Sequence, residues 1–191
     1  MNLEPKPHLT PEEYLAFERA AEEKSEYLEG EMFAMVGASW AHNLIVVNLG
    51  RELSLQLRDR PCETYGSDQR ILVEDTGLYT YADTSVVCEK PVFLADAYLD
   101  TLLNPLVLIE VLSSSTEAYD RGQKFRHYRS IPSLREYLMV SQQEPLIEHY
   151  LRQPGGTWLF TATRGLDAVL DLPALGVRLA LAEVYAKVQF E

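Results

Sequence analysis

Two acids sit where an acid is costly. Glu110 lies inside Leu106-Val107-Leu108-Ile109-Glu110-Val111-Leu112, a near-continuous apolar run, and an ionised carboxylate there is unfavourable unless a cation pairs with it or a metal binds it. Asp83 lies inside Tyr79-Thr80-Tyr81-Ala82-Asp83-Thr84-Ser85-Val86-Val87, whose other residues favour a strand while Asp does not. A bland reading exists for Glu110, as the exposed end of a strand or half of a core salt bridge. Two acids on neighbouring strand ends, however, supply the carboxylate oxygens that Mg²⁺ takes, its octahedron completed by water and phosphate oxygens. The backbone carbonyl of Val111 is a candidate third ligand.

Lys124 falls in Asp120-Arg121-Gly122-Gln123-Lys124-Phe125-Arg126-His127-Tyr128, where Asp120, Lys124 and Tyr128 share one helix face. The ordinary outcome of that spacing is an exposed intrahelical ion pair of little energetic weight. His42 and Asn43 open a long helix whose positive end suits an anion, although a lone His there is commonly satisfied locally. Glu31, after Glu29-Gly30, reads first as a polar residue beside a turn and second as a residue facing the metal. Ser113-Ser114-Ser115 lacks the glycines of a nucleophile elbow, and no GxGxxG or phosphate-loop pattern occurs. Cys62 and Cys88 are the only cysteines, too few for a thiolate zinc site and unfavourable as a disulfide in a reducing compartment.

The elements that must position these side chains follow from periodicity. Thr10-Pro11-Glu12-Glu13 is a capped helix start, predicting a helix over about 11–22. A hairpin turning at Glu29-Gly30 comes next, then an amphipathic helix over about 39–58 with Ile45, Leu49, Leu53 and Leu57 on one stripe. Strands are expected at 62–65, 69–73 and 79–88, and a strand buried on both faces at 106–112. A polar helix over 116–129 and a core strand at 136–140 complete a crossover. Short strands at 146–152, 157–163 and 168–172 and a helix near 181–187 close the chain, giving a mixed α/β or α+β sheet.

The 191 residues, with no repeat or linker-like tract, predict a single domain over 1–191, and 47% hydrophobic content is enough for a sizeable core. The longest apolar runs fall far short of the roughly 20 residues that span a bilayer, and 1–13 lacks the basic-then-apolar pattern of a signal peptide. A soluble cytoplasmic protein without a membrane partner is the expectation. A formal charge of −12 argues against coating duplex nucleic acid through a broad basic face.

Several segments together resemble one family: Glu26-Tyr27-Leu28-Glu29-Gly30-Glu31, Ala41-His42-Asn43, Tyr79 to Val87, Asn104-Pro105 through Ser113, Ser115 through Arg129, and Ser133-Leu134-Arg135-Glu136-Tyr137. The chain is similar over nearly its whole length to the Uma family of restriction-endonuclease-like proteins, in the PD-(D/E)XK nuclease superfamily. The resemblance implies a restriction-endonuclease-like fold, a mixed β-sheet flanked by helices, and a phosphodiesterase site using Mg²⁺ or Mn²⁺. Asp83 matches the first motif acid and Glu110 the second. Ala82 replaces the usual Pro, and Leu112 stands where a Lys is expected; in this family a helix Lys, matched by Lys124, takes its place.

The residues and the resemblance together lead to the expectation of a metal-dependent endonuclease acting on nucleic acid, DNA first, as a homodimer able to cut both strands. Asp83 and Glu110 would hold the metal that activates water, Lys124 would offset transition-state charge, and Glu31 would assist metal or base. The rival is a nuclease-fold protein that binds a nucleic acid or protein partner without cleaving it.

Overall fold

The computed structural model describes residues 8–35, 37–113 and 115–190. The amino-terminal stretch 1–7 and Ser114, on which parts of the signal-peptide and serine readings rest, lie outside the described residues. Thr10 caps α1 (Pro11–Ala20): its hydroxyl accepts from the Glu13 N–H at 3.2 Å, and the Glu13 carboxylate accepts from the Thr10 N–H at 2.8 Å. The expected hairpin forms as β1 (Ser25–Leu28) and β2 (Glu31–Ala34). Glu29 and Gly30 turn it with φ of 50° and 88°, a left-handed pair that Gly30 adopts without a side-chain penalty. Ser39 caps α2 (Trp40–Leu57), the longest helix among the described residues.

The strands divide between two main sheets. β1, β2, β4 (Arg70–Val73), β5 (Leu78–Tyr81) and β7 (Thr101–Leu102) form a sheet in the order β2-β1-β5-β4-β7. The larger sheet, in the order β11-β10-β9-β8-β6-β3, contains β3 (Cys62–Gly66), β6 (Thr84–Cys88), β8 (Val107–Leu112), β9 (Glu136–Ser141), β10 (Leu146–Arg152) and β11 (Trp158–Arg164). A small ribbon of β12 (Val169–Leu172) and β13 (Val177–Ala180) follows, with the short α5 (Leu181–Val184). The stretch 79–88, expected as one strand, is two: the chain leaves the first sheet after Tyr81 and enters the second at Thr84. Asp83 stands at that crossing.

Within the larger sheet β8 and β9 are parallel, which requires a crossover. It is supplied by a helical segment of α3 (Glu117–Tyr119), a wide π turn (Asp120–Lys124) and α4 (Phe125–Tyr128). Strand alternation then sorts β8 into two faces. Val107, Ile109 and Val111 join the core containing Ile45, Leu49, Leu53 and Leu57 of α2. Leu108 and Leu112 join a second core with Tyr128, Tyr137 and Met139. Glu110 belongs by alternation to that second face, beneath the crossover segment.

Cys62 and Cys88 are directly opposed in the β3–β6 register and form a disulfide. That corrects the expectation drawn from a reducing compartment: antiparallel pairing closes their 26-residue separation. Among the described residues no helix is long and apolar enough to cross a membrane.

Candidate active site

The β6–β8 register pairs Thr84 with Ile109 and Ser85 with Leu108. Continuing that antiparallel register one step brings Asp83 opposite Glu110, beyond the last paired residues. Here β8 has a free edge, and the Asp83 carboxylate takes it up: Oδ2 accepts from the Val111 N–H at 2.7 Å and lies 3.1 Å from His42 Nε2. In an extended strand a residue's N–H and C=O point to the same edge, so the Val111 carbonyl also faces the Asp83 side. His42 reaches Asp83 because it sits in the first turn of α2, positioned by the Ser39 cap at 3.1 Å.

Lys124 comes to the acids from the helical crossover. Its Nζ lies 3.0 Å from Glu110 Oε1 and 3.2 Å from Glu26 Oε1, and it donates to the Tyr81 carbonyl at 3.0 Å. Asp120, its i,i+4 neighbour, is the most distant of these partners at 3.9 Å. Lys124 is only 4% exposed, so the exposed intrahelical pair allowed by its spacing is not what forms. The Tyr128 hydroxyl donates to Glu110 Oε1 at 2.9 Å. Glu26 is held by Thr80 Oγ1 at 2.5 Å and by the Tyr119 hydroxyl at 2.9 Å.

These groups line one cavity of about 810 Å³ bounded by the β1–β2 hairpin, the start of α2 and the crossover helix. Asp83, Glu110, Val111, Lys124, Glu26 and Asp120 all contribute to its wall. Four carboxylates thus gather on the inner wall with the Lys124 ammonium, and the rim adds Glu22, Glu23 and Asp68 with Lys24. Burial pushes the Glu110 carboxyl well above the usual carboxylate range; Lys124 pulls it back, while Asp120 and Asp83 push it further up. Asp120 is raised for the same leading reason, desolvation. Burial alone would lower Lys124, but Glu110, Glu26 and Asp120 outweigh it and hold the ammonium charged far into the alkaline range.

The donor set fits a hard divalent cation. The hydrogen bonds and ion pair of Glu110 fall on Oε1 and those of Asp83 on Oδ2, which leaves one oxygen of each carboxylate for a metal, beside the Val111 carbonyl. Among the described residues no three His, Cys, Asp or Glu side chains converge as a ready-made metal cage. Mg²⁺ does not need one, since it binds through one or two carboxylates and keeps its waters. The surplus of negative charge gives a cation a further electrostatic reason to enter.

The structure therefore brings Asp83, Glu110, Val111 and Lys124 together. It does not bring Glu31, which is exposed on β2 opposite Leu28 and does not line the cavity; position 31 starts the outer strand of the hairpin, away from the crossover. Glu26, on the inner strand, is the acid that reaches Lys124. Its signal was present in Glu26-Tyr27-Leu28, an acid in a strand, the same anomaly that singled out Asp83.

Residues 11–182 match the model of the Uma2 family, described as "putative restriction endonuclease". Two proteins of Synechocystis sp., both described as uncharacterized, are similar. One, sll1609, is 39% identical over 85% of this chain and 92% of its own length. The other, slr1290, is 38% identical over 97% of this chain and 96% of its own length. The fold matches a crystal structure of a "putative nuclease belonging to DUF820" from Anabaena variabilis with a TM-score of 0.72, covering 95% of this chain and 99% of that one at 16% identity.

Proposed function

This chain belongs to the Uma2 family, and from that premise we propose that it is a nuclease hydrolysing phosphodiester bonds of nucleic acid, DNA first, at the cavity around Asp83, Glu110 and Lys124. One observation carries the reading: a buried ammonium 3.0 Å from Glu110 on the wall that Asp83 shares. Asp83, Glu110 and the Val111 carbonyl are the residues to hold Mg²⁺ or Mn²⁺. Bound there, the ion would supply Lewis acidity and lower the pKa of water.

The chain's own residues do the rest. Lys124, fixed between Glu110, Glu26 and the Tyr81 carbonyl, presents positive charge where the phosphoryl oxygens gain charge in the transition state, and it needs no reorganisation to do so. Tyr128 holds Glu110 from below. His42 and the Val111 N–H fix the Asp83 carboxylate through Oδ2 and leave Oδ1 to the metal. Cutting both strands of a duplex calls for two such sites, which a two-fold homodimer provides; sedimentation at working concentration checks that, and a monomer would restrict the chain to nicking.

The experiment is nicking of supercoiled plasmid and of single-stranded DNA with Mg²⁺, with Mn²⁺ and with chelator, on the wild type and Asp83→Ala. Cleavage that needs the ion and Asp83 supports the reading. Cleavage that persists in chelator overturns the metal role, and absence of cleavage on every substrate turns the reading to a binding protein of nuclease fold.

A further inference from the structure

We propose that the end of the sheet away from the acidic cavity is a phosphate-contacting surface for a nucleic-acid backbone, formed by Arg126, Arg129 and Arg135 around the anchored guanidinium of Arg152. The register of β8 with β9 places Glu136 beside Val107 and Met139 beside Glu110. Arg135, whose N–H donates to the Leu106 carbonyl at 2.8 Å, therefore lies about four strand residues from Glu110, roughly 13 Å along the sheet. Arg126 and Arg129 sit at the other end of the helical crossover from its entry beside the cavity.

Charge makes this cluster unusual. With 29 acids to 17 lysines and arginines, an exposed cation should readily find a carboxylate. Arg51, Arg121, Arg164 and Arg178 each do. Among the described residues Arg60, Lys90 and Lys187 lack one at separate places in the chain, whereas Arg126, Arg129, Arg135 and Arg152 all lack a carboxylate at ion-pair distance and are gathered together by the Arg152 contacts to the Arg129 and Arg135 carbonyls, with the first three exposed. A helix C-terminus favours cations by itself, but that role is already filled. Arg152 Nη1 donates to the Ile131 and Pro132 carbonyls at 3.0 and 3.2 Å, and its Nη2 to the Arg129 carbonyl. Arg135 lies on no helix. The positive charge thus exceeds what the helix end uses.

The shape suits an anion. Arg135 and Arg152 line an open hollow of about 470 Å³ with Gln153, Pro154, Gly155 and Gly156. Both glycines are left-handed, at φ of 88° and 84°, and, carrying no side chain, they leave backbone bare on part of the wall. The Arg152 Nε is buried without a partner, and burial together with the charge of Arg135 holds Arg152 below the usual arginine range. A phosphate entering the hollow would relieve that repulsion. Because the four guanidiniums are spread over a helix turn and two strand ends, they suit successive phosphates rather than one. The choice of nucleic acid over another polyanion rests on the nuclease reading above.

The test is anisotropy of a fluorescein-labelled 30-base-pair DNA duplex in chelator, where nothing is cut and the acidic cavity repels the probe, over a series of salt concentrations. The variant Arg126→Ala/Arg129→Ala/Arg135→Ala leaves Arg152 and its carbonyl contacts intact. We expect it to bind about tenfold more weakly or worse, with a salt slope reduced by about two to three. The control Arg51→Ala/Arg164→Ala/Arg178→Ala removes the same charge from arginines already paired, and should shift affinity by less than about threefold. Equal weakening in both triples, unchanged binding in the first, or no binding by the wild type would overturn the surface. Binding as expected by a protein that cleaves nothing with Mg²⁺ would leave the surface standing and remove the nuclease reading.

Discussion

Glu110 and Glu136 are buried carboxylates on adjacent parallel strands, and they are opposites in what surrounds them. Glu136 begins β9 and is fully buried: His149 Nε2 lies 3.1 Å from one oxygen, and the Ala174 N–H donates to the other at 2.5 Å. Each of its oxygens has a partner, and among the described residues no second acid pairs with His149. Glu110 shares its one cation with Glu26 and Asp120 and lies beside Asp83 on the wall of a cavity. Burial of an acid therefore does not distinguish a site from a structural pair. The distinguishing feature is negative charge left over beside open space.

Lys124→Met strikes that difference hardest. With the ammonium gone, Glu110 and Glu26 stay buried without a cation, and single-turnover cleavage should fall about 10²–10³-fold. Denaturant melts should show a stability loss of about 3–5 kcal/mol. The exposed ion-pair reading of its sequence spacing anticipates under ~1 kcal/mol and no change in rate, so either result on its own is informative.

Glu136→Ala is the counterpart at the sealed pair. It should cost a similar ~3–5 kcal/mol by stranding His149 and the Ala174 N–H. Metal affinity and the cleavage rate of the folded protein should stay where they are. A variant that folds but loses Mg²⁺ binding would break the contrast between the two glutamates.

A smaller effect comes from pH. The Glu110 carboxyl is raised above its usual 4.5 mainly by burial, so it favours the folded state most below that value. The contribution is lost as pH rises through the folded pKa. Mg²⁺ affinity should run the other way, strengthening by up to about tenfold per pH unit until the carboxyl is ionised, because the ion competes with the proton. Calorimetry between about pH 5.5 and 8 on the wild type and Glu110→Gln checks both signs; the variant should lose this part of each dependence. The smallest change is expected of Glu31→Ala, within about 0.5 kcal/mol in stability and neutral for metal binding, because Glu31 is exposed and away from the cavity.

Much of this geometry is legible in the sequence. Glu110 and Asp83 stand out because the strand signal around each is strong enough to make an acid anomalous. The capped helix, the hairpin and the crossover between β8 and β9 follow from local patterns. Other features depend on tertiary placement. The break at Ala82–Asp83 is a change of sheet, and β7, two residues long, is defined by its pairing with Arg70 and Ile71 and by a bridge from Phe93 to Leu102. Whether Lys124 points at Asp120 or at Glu110 is decided by the return of the crossover over β8, which i,i+4 spacing cannot express. The contest between Glu31 and Glu26 depends on which hairpin strand lies inside. The Cys62–Cys88 bond needs the β3–β6 register, which no local signal carries.

The central claim is that Asp83 and Glu110 together hold a divalent cation at the cavity. Titration calorimetry of Mn²⁺ into the wild type, Asp83→Ala and Glu136→Gln tests it most directly. The wild type and Glu136→Gln should bind the ion alike, while Asp83→Ala should bind about tenfold more weakly or not at all. Equal affinity in the wild type and Asp83→Ala would contradict the account.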